Sequence, residues 1–269
     1  MPSWRIFPLE TMNPVENMAK DEAIFRVKSE NLNNIPNTIR FYRWKPSSVS
    51  IGKNQILEEE VDIEACQSNN ISIIRRISGG GSVFHMYEGE ITYSIITNLA
   101  ELNLSSSKEC YFHVLSALAR GFQSLNIQSD QGQVHCPALL VNNKKISGNA
   151  QAISGNTLLQ HGTVLVKYNP ELMYTVLKAR PDKPRVKMIQ SVYAHVTTLE
   201  QLGVTTDFKE ISEHLKRGFE KEFNIKQLQL EKPVLTSEEK DTMKLIAKER
   251  YSSQDWINSK KETELINFN

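Results

Sequence analysis

Within thirteen residues, Ile73 to His85, the segment IIRRISGGGSVFH gathers two adjacent cations, three consecutive glycines and a histidine. Without Cβ atoms, the main-chain N–H groups of Gly79, Gly80 and Gly81 can approach an anion or a polarised oxygen closely. Arg75 and Arg76 would add charge-assisted donors for phosphate or carboxylate oxygens at the rim. The alternative is a flexible hairpin whose arginines face solvent. The spacing fits neither the phosphate-binding loop of nucleotide hydrolases nor the dinucleotide fingerprint. A second group, NNKKISGNAQ from Asn142 to Gln151, offers a lysine, Lys144 or Lys145, followed by Ser-Gly, so that a point charge can enter a cleft. In a third, LLQHGTVLV, Gly162 after His161 lets a neighbouring strand approach. Taken singly, that histidine reads as a satisfied structural group and the lysines as solvated turn charges.

The elements that must carry these groups are legible from pattern. Asn13-Pro14 marks a helix start, and Val15, Met18, Ala19 and Glu22 to Phe25 are spaced to bury one face. Strands are expected at TIRFYRW, SSVSIGKNQ, ISIIRR and GEITYSIIT, with a turn at Lys45-Pro46. A serine-led helix follows at SSSKECYFHVLSALARGFQSL. Paired strand material comes next, turning at Asn142-Asn143. From Asp207 the pattern is helical, with Phe208, Ile211, Leu215 and Phe219 on one face and a capping box from Thr236 to Glu239. Strands first and helices last predict an α+β domain with a short helical tail.

Composition narrows the function classes. A formal net charge of +1 gives no general field for nucleic acid or an anionic membrane. No apolar run approaches the roughly 20 residues of a membrane span, and the N-terminal residues lack a signal-type apolar core. The three cysteines are odd in number and without a CxxC pair, so neither a disulfide framework nor a zinc site is expected. A reducing cytoplasm is the expected setting.

In combination the motifs say more. RRISGGGSVFH, KKISGNAQ and LQHGTVLV, in this order, resemble the lipoate–protein ligase family within the biotin and lipoate ligase superfamily. NMAKDEA, FYRWKPSSVSIGKNQ, SVYAHVTTLEQL and ERYSSQDWINSK extend the likeness over nearly the whole chain. The resemblance implies a central mixed β-sheet flanked by helices, with the acyl group in a tunnel beneath the glycine loop. It also implies a catalytic domain over residues 1–228 and a short helical extension over 229–269. The implied ligand pocket falls on Arg75, Arg76, Ser78, Gly79, Gly80, Gly81, Ser82, Val83 and His85, with Gly148, Asn149, His161 and Gly162. Lys145 takes the place of the family's catalytic lysine, contacting acyl carbonyl and α-phosphate. Ser82 replaces a usual alanine, and Met86 stands where aspartate is common.

The activity implied first is ATP-dependent lipoate ligation. Lipoate attacks the α-phosphate of ATP, Mg2+ screens the phosphates, and pyrophosphate leaves. The lipoyl-AMP then acylates a lysine of a lipoyl carrier domain, in a 2-oxoacid dehydrogenase E2 or a glycine-cleavage H-type protein, and AMP leaves. No protein side chain is identified as a metal ligand. Longer ligases carry an accessory domain of roughly a hundred residues, so a separate accessory subunit is an expected partner. The alternative is the octanoyltransferase branch, which uses a cysteine thioester and no ATP. Cys136, nine positions before Lys145, is then the nucleophile. Three features favour ligation: Gly81, where those transferases tend to have arginine; the place of Cys136, since their cysteine lies several residues further upstream of the lysine; and HVTTL.

Overall fold

A computed structural model describes residues 2–31, 35–132, 138–179 and 182–260. The chain opens with β1 (Trp4–Met12), α1 (Pro14–Glu30), β2 (Asn37–Trp44) and β3 (Ser48–Ile51). Then come α2 (Leu57–Glu60), α3 (Ile63–Ser68), β4 (Ser72–Arg75), β5 (Val83–His85), β6 (Glu90–Asn98) and α4 (Ser107–Gln123). Next are β7 (Asp130–Gly132), β8 (Ala138–Val141), β9 (Lys144–Ser154), β10 (Thr157–Leu165), α5 (Pro170–Val176) and α6 (Arg185–His195). The chain then turns helical with α7 (Phe208–Glu222), α8 (Ser237–Ile246) and α9 (Gln254–Ser259).

Among the described residues, seven strands form one sheet in the order β1-β2-β6-β10-β9-β8-β7, and three form a second in the order β4-β3-β5. Each sheet is mixed: β1 runs parallel to β2 and β3 to β4, while the other pairings are antiparallel. The expected α+β class with a central mixed sheet and flanking helices is what the molecule has. Asn142 (φ 50°) and Asn143 (φ 62°) make the β8–β9 turn, which needs two left-handed residues in succession.

Alternation along the central strands gives the large sheet two unlike faces. Ile39 and Phe41 of β2, and Ile91, Tyr93 and Ile95 of β6, pack under α4 and α7 with Val114, Leu118, Leu215 and Phe219. That face is an ordinary apolar core. The opposite face carries Arg40, Tyr42, Glu90, Thr92, Ser94 and His161, all buried. Cross-strand register sets Arg40, Ser94 and His161 in one row. Burying such a row is stable only if every polar group finds a partner, and α1 with the small sheet supply them.

That arrangement corrects one expectation. α1 begins as its sequence dictates, with a reciprocal Asn13–Glu16 capping box and Pro14 in the first turn. It does not bury one apolar stripe, however. Asn17, Lys20, Asp21, Glu22 and Lys28 are buried along with its apolar residues, because α1 lies between the polar sheet face and α8. β1 was not expected from the sequence. Its burial pattern is irregular, its register shifts between Phe7 and Glu10, and Pro8 interrupts it.

The tail is packed in place. Arg5 and Glu239 form a buried bidentate pair between β1 and α8, and Arg250 pairs with Glu22 of α1. Trp256 donates its indole N–H to the Arg75 carbonyl at 2.8 Å. No described helix is long and apolar enough to cross a membrane.

Candidate active site

The polar sheet face, the small sheet and helices α5 and α6 enclose a cavity of about 1100 Å3. Of the residues picked out from the sequence, Arg76, Gly80, Gly81, Ser82, Val83, His85, Lys145, Gly148, Asn149, His161 and Gly162 line it. Arg75, Ser78 and Gly79 do not. Cys136 lies outside the described residues. The wall continues through apolar side chains, among them Met18, Tyr42, Trp44, Phe84 and Met86, with Met173 and Leu177 near α5 and Met188 and Val192 on α6. Met86, where the family pattern favours aspartate, belongs to this apolar wall.

Arg75 needs correcting as a rim donor. Its guanidinium turns away from the cavity and donates to the main-chain carbonyls of Gly52, Lys53, Gln55, Trp256, Ile257 and Asn258 at 2.7–3.3 Å. Burial lowers its pKa, and Glu58 acts against that fall. Arg75 ties the tail to the segment before α2.

Arg76 does face the cavity, but its donors are spent on the protein. Nε donates to Ser78 Oγ at 3.1 Å, and Nη1 donates to the Ser50 carbonyl at 3.1 Å and Ser50 Oγ at 3.2 Å. Nη2 donates to the Gly79 and Gly81 carbonyls, both at 2.7 Å. A guanidinium has five N–H donors, and all five are used. None of the acceptors is a carboxylate, and burial lowers the pKa of Arg76 to about 10, leaving it cationic at neutral pH.

Holding the Gly79 and Gly81 carbonyls on one nitrogen bends the loop so that Gly80 adopts φ +91°. The loop carbonyls are thereby committed. The N–H groups of Gly79, Gly80, Gly81 and Ser82 find no acceptor among the described residues. Ser82 donates its hydroxyl to Glu60 at 3.0 Å. Gly52, which the sequence reading passed over, is required by this crossing, since a Cβ there would run into the Gly80 carbonyl.

Lys145 enters from the far wall. Its main-chain carbonyl accepts from the Thr197 N–H at 2.9 Å, and it pairs with Leu140 of β8 and bridges to Val196. The HVTTL segment thus fixes the strand that carries it. Nζ has no carboxylate partner among the described residues, and a Cβ at Gly148 would lie 3.0 Å from it, so the glycine keeps room for the ammonium. Lys144 points elsewhere, donating to the Tyr193 carbonyl at 3.1 Å. Gly162 lets β10 pass close to the Gly148 carbonyl and Tyr93, whose hydroxyl donates to Asn149.

The histidines are wall groups with partners. His85 lies between Ser50 Oγ (2.8 Å) and Glu90 (2.6 Å) and stacks on Trp44. His161 lies between Ser78 Oγ (2.6 Å) and Asp21 (3.6 Å). Burial lowers the His161 pKa, with Asp21 resisting and Arg76 and His85 adding to the fall. Asp21 also accepts from Arg40, from Tyr42 at 2.9 Å and from Ser94 at 2.7 Å. Although burial alone would raise it, the Arg40 charge, with His161 and Ser94, brings its pKa below the usual value. Asp21, Ser50, Gly52 and Glu90 belong to this site although their spacing in sequence carries no sign of it.

Burial pushes the thiols of Cys66 and Cys110 up to about 11 and about 12, with Asp62 adding to the first, so neither is a nucleophile at neutral pH. Among the described residues no three His, Cys, Asp or Glu side chains are grouped to hold a metal ion. Two wall carboxylates, Glu59 and Glu60, face the cavity beside the glycine loop.

An apolar cavity with a lysine and unspent loop N–H groups on its wall suits a carbonyl or phosphoryl group carried on an aliphatic chain. Comparison with known proteins gives the family. Residues 13–220 match the lipoyl protein ligase A/B catalytic domain, and the chain belongs to that family. It is 29% identical to octanoyltransferase LipM of Brevibacillus brevis over 279 residues, covering 95% of this chain and 99% of that protein. It is also 29% identical to LipM of Geobacillus kaustophilus over 276 residues, covering 94% and 97%. Its structure is similar to a bipartite lipoate protein ligase from Thermoplasma acidophilum, studied with its E2 lipoyl domain. That likeness has a TM-score of 0.86 and 26% identity, over 99% of this chain and 100% of that one.

Proposed function

We propose that this protein transfers an octanoyl or lipoyl group to the ε-amine of a lysine on a lipoyl carrier domain, through a thioester on Cys136 and without ATP. The observation that carries the transfer site is the presence of Lys145 and of the Gly80 and Gly81 N–H groups, which have no acceptor among the described residues, on the wall of one largely apolar cavity. The octanoyltransferase relatives, matched along nearly their full length, support the cysteine route over the ligation that the sequence alone put first. In sequence, Cys136 lies two residues before β8, whose Leu140 pairs with Lys145.

In the first step the Cys136 thiolate attacks the carbonyl of an acyl thioester, and the donor thiol leaves after taking a proton. In the second, the carrier amine attacks the acyl-cysteine, loses a proton, and expels the Cys136 thiolate. Each step passes through a tetrahedral oxyanion. The Lys145 ammonium and the loop N–H groups stabilise that charge, in a site whose buried Arg76 adds positive potential. The apolar wall takes the acyl chain.

A second reading is ATP-dependent ligation, favoured by Gly81 and by the full-length likeness to the bipartite ligase. In it Lys145 would meet the α-phosphate. Mg2+ would arrive with the nucleotide, with Glu59 and Glu60 as the wall carboxylates in reach of the cavity, and would screen phosphate charge.

The deciding experiment supplies a lipoyl carrier domain with either an octanoyl thioester donor and no ATP, or free octanoate or lipoate with Mg-ATP, and reads carrier mass. We expect transfer from the thioester alone, a hydroxylamine-sensitive adduct on Cys136, and loss of transfer in Cys136→Ser. Transfer that requires Mg-ATP and survives Cys136→Ser would establish ligation instead.

A further inference from the structure

Two chains of polar contacts end on one guanidinium. From Arg76 Nε the first runs to Ser78 Oγ (3.1 Å), His161 Nε2 (2.6 Å) and, through Nδ1, Asp21 (3.6 Å). From Arg76 Nη1 the second runs to Ser50 Oγ (3.2 Å), His85 Nε2 (2.8 Å) and, through Nδ1, Glu90 (2.6 Å). Every member is buried.

Counting protons points to one state of both chains. Each serine oxygen accepts from Arg76 and has one hydrogen to give, and its other neighbour is the imidazole Nε2. Satisfying both hydroxyl hydrogens calls for Nε2 as the acceptor on each ring, which puts the single ring proton of a neutral histidine on Nδ1, facing a carboxylate. Adding a second proton turns Nε2 into a donor. The serine hydrogen then loses its acceptor in a buried site, and an imidazolium stands beside an uncompensated guanidinium.

We propose that Ser50–His85–Glu90 and Ser78–His161–Asp21 are paired positioning relays that hold Arg76, and through it the glycine loop, in shape only while both Nε2 atoms accept from their serines. Their meaning for acyl transfer rests on the reading above; the relays themselves do not. Since Arg76 is the clamp on the Gly79 and Gly81 carbonyls, loosening it frees those carbonyls to compete for the loop N–H groups that would otherwise meet a ligand oxygen.

The surroundings of His161 agree with the neutral state. His161 is faced by Asp21 from α1, which itself answers to Arg40 and Tyr42 on β2 and Ser94 on β6, and by the Arg76 and His85 charges. His85 is faced by Glu90 and Thr92 from β6, by Ser50 from β3, and by the Trp44 ring at 4.1 Å from β2. Burial lowers the His161 pKa, which keeps that ring neutral further into the acid range.

The test uses the full chain without ligand. Nitrogen-15 NMR of labelled histidine, assigned with His85→Gln and His161→Gln, should show both rings as the Nδ1–H form at pH 7.5. Hydrogen exchange at the two amides that pin the loop, Lys53 N–H to the Ser78 carbonyl (2.9 Å) and Arg76 N–H to the Ile51 carbonyl (3.0 Å), corrected for intrinsic rates, should accelerate roughly tenfold on acidification, with the midpoint of the His161 titration. His161→Gln should keep protection at pH 7.5 and lose part of the acid response, because an amide oxygen accepts from Ser78 and takes up no proton. Ser78→Ala should lose protection at both pH values, and Ser78→Thr should restore it. An Nε2–H or protonated ring at pH 7.5, or loop protection that is indifferent to the imidazole titration, overturns the proposal. Transfer is scored apart: the KM for the acyl donor should rise on acidification more than kcat falls. Failure of transfer with relays behaving as described removes the functional reading alone.

Discussion

Arg75 and Arg76 are consecutive in the chain and send their guanidinium groups to opposite sides of the small sheet. Arg75 donates to the carbonyls of Trp256, Ile257 and Asn258, while Arg76 holds the carbonyls of Gly79 and Gly81. Successive residues of an extended segment face opposite ways, so one arginine anchors the tail and the other shapes the cavity. The pair therefore separates by mutation.

Arg75→Met should lower stability by about 2–4 kcal/mol, because buried carbonyls lose a charged donor. It should leave acyl-ligand affinity nearly unchanged in the fraction that remains folded. Arg76→Lys keeps the charge but offers three donors where five are used. It should weaken ligand binding more than it lowers the melting temperature. Thermal unfolding paired with calorimetric titration of octanoate checks both, and equal effects of the two variants on binding would refute the division.

The glycines also divide by cause. A Cβ at Gly52 would strike the main chain at Gly80, so Gly52→Ala should distort the loop and cost stability. Gly80 sits at φ +91°, which makes any substitution there strained. Gly81 has open space around its missing Cβ and a backbone outside the left-handed region. Gly81→Val should leave the melting temperature within a few degrees of wild type while acyl-ligand binding falls at least roughly tenfold. A Gly81→Val protein that binds as before would place the ligand elsewhere in the cavity.

Lys145→Ala should fold normally and lose about two or more orders of magnitude in transfer, the scale of a removed oxyanion donor. Lys144→Ala removes only a contact to the Tyr193 carbonyl and should retain most activity. Carrier acylation followed by mass under single-turnover conditions separates the two. Comparable losses would take Lys145 out of the chemistry.

Stability should fall in acid in two windows. The folded pKa of His161 is lowered, so below the ordinary imidazole value of about 6.5 the unfolded chain takes up a proton that the folded one refuses. Stability is therefore full above that value and declines as pH falls, at up to about 1.4 kcal/mol per unit, until His161 itself is protonated. Asp21, also lowered, contributes stability that is present above the carboxylate range and lost at lower pH still. Denaturant unfolding at pH 7.5, 6.5 and 5.5 should show the first decline, and His161→Gln should flatten it. An unchanged slope in that variant would assign the decline to another group.

Local rules made much of this protein readable from its residues. Asn13 with Pro14 and Thr236 with Glu239 announced helix starts, because a cap is built from side chains three residues apart. Asn142-Asn143 announced its hairpin, since few residue types tolerate two left-handed positions in a row. The order of RRISGGG, KKISGNAQ and LQHGT gave the family and brought Lys145, the glycine loop and His161 to one cavity. Strand β1 carries no such mark, because Pro8 and a register shift break the alternation of a strand. Only the tertiary structure decided which arginine faces the cavity, since two like residues in succession carry no label for inside and outside. It alone joined Asp21, Ser50, Ser78, His85, Glu90 and His161 to Arg76. These residues come from a helix, four strands and a loop, and what binds them is the need of each buried polar group for a partner, which is met across the fold and not along the chain.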